Sequence, residues 1–297
     1  MRRAILLFCL AAVLALSAAA GETGEYVNGV EGIKGASVPP PGFYWRSYNV
    51  YYTADELKDG RGRDIDIDFD VTVLATVQRG IYVSDLTVLG GNLGGEVIVP
   101  LVHTDLDIGA MKFHDQHTRF GDMAAGPLVA WHFDRFDVAV GFDVYAPTGA
   151  ASKRQPNAYP GKDMWSVMGT AGVTFYPDKE KTWSISVLPR YEEHLKKRRV
   201  DVRPGDDFHF EWGIAKNIAK VWEVGPVGYC AWQVTNDRGR DVTWDQSEHD
   251  RVYALGGEVS YMIVPIMLNV SARYLQEFEA VDRTEGQIFC LTLTKVF

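Results

Sequence analysis

Four carboxylates stand at every second position in Asp64, Asp66, Asp68 and Asp70, with Ile65, Ile67, Phe69 and Val71 between and after them. A row of four carboxylates is costly in a filled, dry interior. It suits a wet passage that attracts cations or tolerates neutral solutes. Other charges interrupt apolar stretches in the same way: Asp137, Asp143, Arg190, Glu192, His209, Glu211, Arg273 and Glu277. His114-Asp115-Gln116-His117 offers two imidazoles three residues apart, too few ligands without a fixed scaffold to define a metal centre. No serine and histidine stand in a recognisable hydrolase motif, and the Gly90-Gly91 and Gly94-Gly95 pairs do not open a helix, so no phosphate loop is expected. No catalytic residue, metal or cofactor is expected.

The elements that position these charges follow from the period of the pattern. From 64 to 77 the odd positions are all apolar and the even ones mostly Asp or Thr, which places the two sets on opposite faces of a strand. Fourteen residues exceed the usual soluble strand of about 5–6, whereas a strand crossing a bilayer needs about 9–11. The apolar row is therefore read as facing lipid and the acidic row as facing a lumen. Asp64 would then lie at the outer mouth, with Asp70 about 20 Å deeper at roughly 3.3 Å per residue. An edge strand of a soluble sandwich is the competing reading of this segment alone.

Twelve such segments can be marked: 44–53, 64–77, 86–103, 122–133, 136–146, 165–176, 183–194, 208–220, 222–235, 251–263, 266–277 and 286–297. Longer polar connections follow the odd-numbered ones (55–63, 104–121, 147–164, 195–207, 236–250, 278–285), and short turns follow most even-numbered ones, with 78–85 the exception. Short turns at one rim and long loops at the other, with an even strand count, predict an all-β, antiparallel up-and-down transmembrane β-barrel of about 12 strands with both termini at the periplasmic rim. Aromatic residues at strand ends, among them Trp131, Phe133, Tyr176, Trp183, Trp222 and Trp232, suit a membrane interface. On this reading Val138, Val140 and Phe142 meet lipid.

The address agrees. Met1-Arg2-Arg3, an apolar core from Ala4 to Leu16 and Ser17-Ala18-Ala19-Ala20 read as a signal peptide over 1–20, cleaved near Ala20. Cleavage removes two of 30 basic residues, leaving 28 against 39 acidic ones, a net −11. That balance argues against nucleic acid as a partner. Residues 21–42, rich in Gly and Pro, are expected to form an irregular periplasmic lead-in, and 43–297 the barrel in the outer membrane of a Gram-negative cell. The C-terminal strand ends on Phe297 with Phe289, Leu291 and Leu293 at alternate positions, as in a signal read by the barrel-assembly machinery; Lys295 departs from that pattern.

Several segments together resemble the outer-membrane transporters associated with the meta-cleavage pathway of phenol degradation. They are Pro39-Pro40-Pro41-Gly42-Phe43-Tyr44, Gly121-Asp122, Val144-Tyr145-Ala146-Pro147-Thr148-Gly149, Asp207-Phe208-His209-Phe210 and Leu291-Thr292-Leu293-Thr294-Lys295-Val296-Phe297. The resemblance runs from about Gly29 to Phe297. It implies a barrel that passes small, often aromatic or hydrophobic, solutes, and supplies no catalytic residues. Two functions stay open: a channel with a charged lumen, or a non-transporting structural or adhesive barrel acting through its extracellular loops.

Overall fold

The computed structural model describes residues 24–153 and 156–297; the expected signal peptide lies outside them. The strands are β1 (Gly42–Leu57), β2 (Phe69–Val88), β3 (Gly91–Ile108), β4 (Phe113–Phe120), β5 (Met123–His132), β6 (Phe136–Ala146) and β7 (Ser166–Phe175). They continue as β8 (Trp183–His194), β9 (Asp207–Ile218), β10 (Trp222–Gln233), β11 (Arg251–Ile263), β12 (Leu268–Val281) and β13 (Thr284–Val296). All pairings are antiparallel and, apart from β3 with β5, join sequence neighbours, and β1 pairs with β13, which closes the ring. β4 and β5 pair with the upper and lower parts of β3 and together make one stave, so the wall is a 12-strand barrel.

Paired residues share a face, and the faces divide cleanly on most of the ring. Phe136, Val138, Val140 and Phe142 point out, while Asp137, Ala139 and Asp143 are buried inside. Two bands of aromatic contacts ring the outside. Phe43 with Phe297, Phe136 with Phe175, and Trp222 with Tyr261 sit near the short-turn rim; Phe208 with Trp232, Tyr253 with Phe278, and Tyr274 with Phe289 sit higher. An apolar outside between two aromatic girdles, around a polar inside, inverts a water-soluble protein and suits lipid. One patch departs from this. On β1 and β2, Ser47, Asn49, Thr76 and Gln78 lie on the outer row and satisfy one another, with Gln78 Nε2 donating to both Ser47 and Thr76.

Three sequence expectations need correction. The segment expected as the second strand begins later, at Phe69, and Asp64, Asp66 and Asp68 lie in the loop before it. Its facing is also reversed: Ile67 and Val71 are buried with Leu57, Leu106, Ile108 and Ala158 in an apolar cluster under the mouth, while Asp64, Asp66, Asp68 and Asp70 are exposed. Above the lipid belt the outside is water, so carboxylates hydrate there and the apolar side chains pack together on the inner side instead. Finally, 78–85 is strand, not loop. The turn falls at Leu89-Gly90, both at positive φ as a two-residue hairpin requires, so the apparent exception to the loop alternation disappears.

The same extension converts most of 104–121 into a β3–β4 hairpin and shortens the β12–β13 connection to Asp282-Arg283. Arginine at Val140 should therefore destabilise the barrel folded into vesicles by about 2–4 kcal/mol. At Thr104, whose side chain lines an interior cavity, the cost should be much smaller; urea titration of refolded protein measures both.

Candidate lumen and the segment within it

Residues 24–41 form no strand, as expected, but they do not lie in the periplasm. From Pro41 at the short-turn rim the chain turns back and runs up the barrel interior, and Gly24, the first described residue, sits against Asp207 and Glu192 in the long-loop half. A peptide without strand partners carries N–H groups that must find acceptors when buried. The inward carboxylates supply them. Glu192 accepts from the Glu25 N–H at 2.5 Å and the Tyr26 N–H at 3.3 Å. Glu211 accepts from the Gly29 N–H at 2.9 Å and the Tyr26 hydroxyl at 3.0 Å, and Glu258 from the Ile33 N–H at 2.9 Å.

Cations and rings hold the rest of the segment. The Arg190 guanidinium lies 4.0 Å from the centre of the Tyr26 ring, and His209 stacks on the other contact of that ring at 5.0 Å. Arg273 pairs with Glu258 at 2.9 Å and donates to the Gly29 carbonyl at 2.7 Å. Asp137 accepts from Ser37 at 2.8 Å and also from Tyr176. Glu31, buried, accepts two bonds from Arg46 at 2.9 and 3.0 Å, one from Arg79 at 2.7 Å and one from the Tyr48 hydroxyl at 2.6 Å. Val30 packs into the interior apolar cluster of Tyr48, Val50, Tyr229, Leu275 and Ile288.

Of the expected lumen residues, Asp137, Asp143, Arg190, Glu192, His209, Glu211, Arg273 and Glu277 are therefore inside and buried, and most of them bind the lead-in. Glu277 instead ties Tyr52, Tyr229 and the Gly286 N–H together. Asp66, Asp68 and Asp70 do not join them. Sequence reasoning missed Glu31, Arg46, Arg79, Glu96 and Glu258. Arg46 and Arg79 alternate with inward apolar positions of β1 and β2, a signal that was available; Glu31 sits in an aperiodic segment that gives none.

The space the segment leaves is two-faced. In the long-loop half a cavity of about 410 Å³ has one apolar wall, including Val50, Val73, Ala75, Pro100, Val102 and Ile288. Its other wall carries Glu192, Asp207, Asp250 and Glu277 with Lys162 and Arg283. Beneath, a cavity of about 200 Å³ lies near the short-turn rim, lined by Ile33, Lys34, Gly35, Ser37 and Val38 on the lead-in side and by Arg46, Arg79 and Glu258 on the wall.

Comparison with known proteins bears on this geometry. Residues 54–293 match the model of the family described as "Putative MetA-pathway of phenol degradation". The chain belongs to this family. Among solved structures it is similar to an outer membrane channel from Pseudomonas putida F1, at 12% identity over 88% of this chain and 97% of that one, with a TM-score of 0.78. It also resembles the translocator domain of the autotransporter NalP from Neisseria meningitidis, at 9% identity over 100% and 98%, with a TM-score of 0.49. No curated protein matches. The fold is that of the outer-membrane β-barrels of Gram-negative bacteria.

Two of the motifs that carry the family resemblance meet in space. Asp122 accepts from the Gly149 and Lys162 N–H groups, each at 2.7 Å, so Gly121-Asp122 fastens the 147–165 loop into the mouth, where Tyr159, Pro160 and Lys162 line the larger cavity. Near the same end, Ser166 Oγ and His194 Nδ1 are 2.9 Å apart and His194 Nε2 is 3.1 Å from Asp207. Ser166 and His194 have no solvent exposure and the cavity stops at Asp207, so this trio fixes the Asp207 carboxylate and offers a substrate no approach to the hydroxyl.

The mouth is acidic enough to shift its own groups. Burial and then Glu248, Asp250 and Asp237 push the Asp282 carboxyl, in the β12–β13 turn, up to about 8. Its folded value lies above its unfolded one near 3.9, so its contribution to stability is complete below about pH 4 and fades as pH rises through 8. The thermal midpoint of Asp282→Asn should therefore gain on the parent as pH rises from 5 to 8.5.

Inside, Glu211→Ala should free the Gly29 and Tyr26 donors at a cost of about 1–3 kcal/mol. Limited trypsinolysis after Lys34 should accelerate in that variant and stay unchanged in Asp70→Asn, whose side chain is on the outside.

Proposed function

We propose that this protein is an outer-membrane channel for small aromatic or hydrophobic solutes, with the larger cavity as their entry site. The observation that carries the reading is that cavity's apolar wall of Val50, Val73, Ala75, Val102 and Ile288, reached from the long-loop mouth and set opposite charged groups. About 410 Å³ falls in the range of small-molecule pockets and fits one ring or a short chain. The acidic face, with Glu25 and Asp122 adding to Glu192, Asp207, Asp250 and Glu277 against Lys162 and Arg283, favours neutral or cationic solutes over anions. The charge preference thus rests on these carboxylates rather than on the Asp64–Asp70 row. Family membership and the channel similar in fold support the same reading. The barrel supplies structure and a route; no side chain is assigned a reaction.

The filled lumen favours one competing reading, a non-transporting structural or adhesive barrel acting through its extracellular loops. Uptake into proteoliposomes separates the two. Phenols should enter faster than sugars of similar size. Val73→Asp should slow phenol entry on the order of tenfold, the equivalent of about 1.4 kcal/mol of lost apolar contact. Equal, background-level entry of phenols, fatty acids and sugars in both proteins would leave the structural reading in its place.

A further inference from the structure

The two lumen cavities have no lining residue in common. The lead-in lines the larger one from Gly24 to Asn28 and the smaller one from Ile33 onward, so residues 29–32 are the stretch of this segment that divides them. Alongside lies a cavity of only about 60 Å³, lined by Tyr26 and Arg190 from above and by Arg79, Gly35 and Leu128 from below, with Glu31 in its wall. It holds a water or two, not a solute.

The dividing stretch is clamped from two sides. On one, Gly32 lies so close to the β11–β12 wall that a Cβ there would come within 1.9 Å of Glu258 Oε2 and 2.5 Å of Arg273 Nε. On the other, the Glu31 carboxylate takes its four bonds from Arg46, Arg79 and Tyr48 on β1 and β2. Most of the other tethers of the segment are single bonds from a backbone N–H or a hydroxyl to a wall carboxylate. Among the described residues, Glu31 is the lead-in's one buried carboxylate held by two wall guanidiniums, so at this tether both partners carry charge and an ion pair is added to the hydrogen bonds.

We propose that Glu31 is the latch that keeps the lumen divided, and that releasing it from Arg46, Arg79 and Tyr48 joins the larger and smaller cavities into one passage. The inference rests on the channel reading and adds its control point. Release also changes the charge at the narrowest place. Arg79 keeps Glu96, to which its Nε donates at 2.6 Å, but Arg46 has Glu31 as its carboxylate partner and would face the opened passage with its charge uncompensated. A latched protein therefore passes ions poorly, and an unlatched one gains conductance together with a shift toward anions.

The test is single-channel recording of the full-length mature protein in planar bilayers under a KCl gradient, comparing the parent with Glu31→Gln and Tyr48→Phe. Glu31→Gln should raise conductance at least several-fold and move the reversal potential toward that of chloride. Tyr48→Phe, which removes the hydroxyl's bond to Glu31 and the one it accepts from Arg79 at 2.9 Å but leaves the ion pairs, should give a smaller rise with little change in selectivity, and it remains informative if the first variant folds poorly. Variants that run as heat-modifiable barrels yet keep the parent's conductance and reversal potential would overturn the latch. Phenol uptake by Glu31→Gln, measured in the same vesicles, judges the channel reading separately: a variant that conducts ions but takes up no more phenol than protein-free vesicles removes that reading and leaves the latch standing.

Discussion

A sheet that crosses lipid cannot leave a backbone edge unpaired, because no water is present to satisfy it. Pairing of β1 with β13 meets that demand and sets the rest of the structure. Closing twelve strands encloses more space than the wall's own side chains fill, since barrels of eight are about the width that side chains pack alone. The surplus is taken up by residues 24–41. That segment brings unpaired N–H groups into the interior, and Glu192, Glu211 and Glu258 are where those groups find acceptors. The buried charges of the wall are thus answers to a backbone requirement before they are anything to a solute.

This division of labour explains why the lumen is not uniformly polar. The lead-in lies against β8, β9, β11 and β12, where the inward charges concentrate, and leaves the upper inward rows of β1, β2 and β3 facing open space. Those rows are Val50 and Tyr52, Val73 and Ala75, and Pro100 and Val102. The same strands carry the polar outer patch of Ser47, Asn49, Thr76 and Gln78, which is stable at the lipid face because its members hydrogen-bond among themselves. On this part of the ring the usual sense of facing is relaxed, and the apolar solute wall is the inner side of that relaxation.

Much of the architecture could be read from sequence because a period of two and the alternation of loop lengths are set by the barrel itself. Phe136 to Val144 shows it most plainly: one row apolar, the other holding Asp137 and Asp143, and the structure faces them accordingly. The Asp64–Val71 stretch shows where period stops being enough. Alternation reports that two faces differ, not which is inside, and above the membrane the preference reverses because both sides can reach water. The site was less legible still. Arg190, Glu192, His209, Glu211 and Arg273 were found because charges inside strands stand out. Their common partner was not, since an aperiodic Gly- and Pro-rich segment reads alike whether it hangs in the periplasm or fills a lumen. Glu31 carries no pattern at all; its role depends on Arg46 and Arg79, which lie 15 and 48 residues further along.

Residues 24–41 are seated inside the barrel by hydrogen bonds from their own backbone. Hydrogen exchange followed by mass spectrometry on the refolded protein in vesicles addresses it most directly. Amides of Tyr26, Gly29 and Ile33 should exchange orders of magnitude more slowly than in a free peptide of the same sequence, with protection comparable to the wall strands. Exchange of 24–41 at the free-peptide rate, while β1 and β13 stay protected, would contradict it.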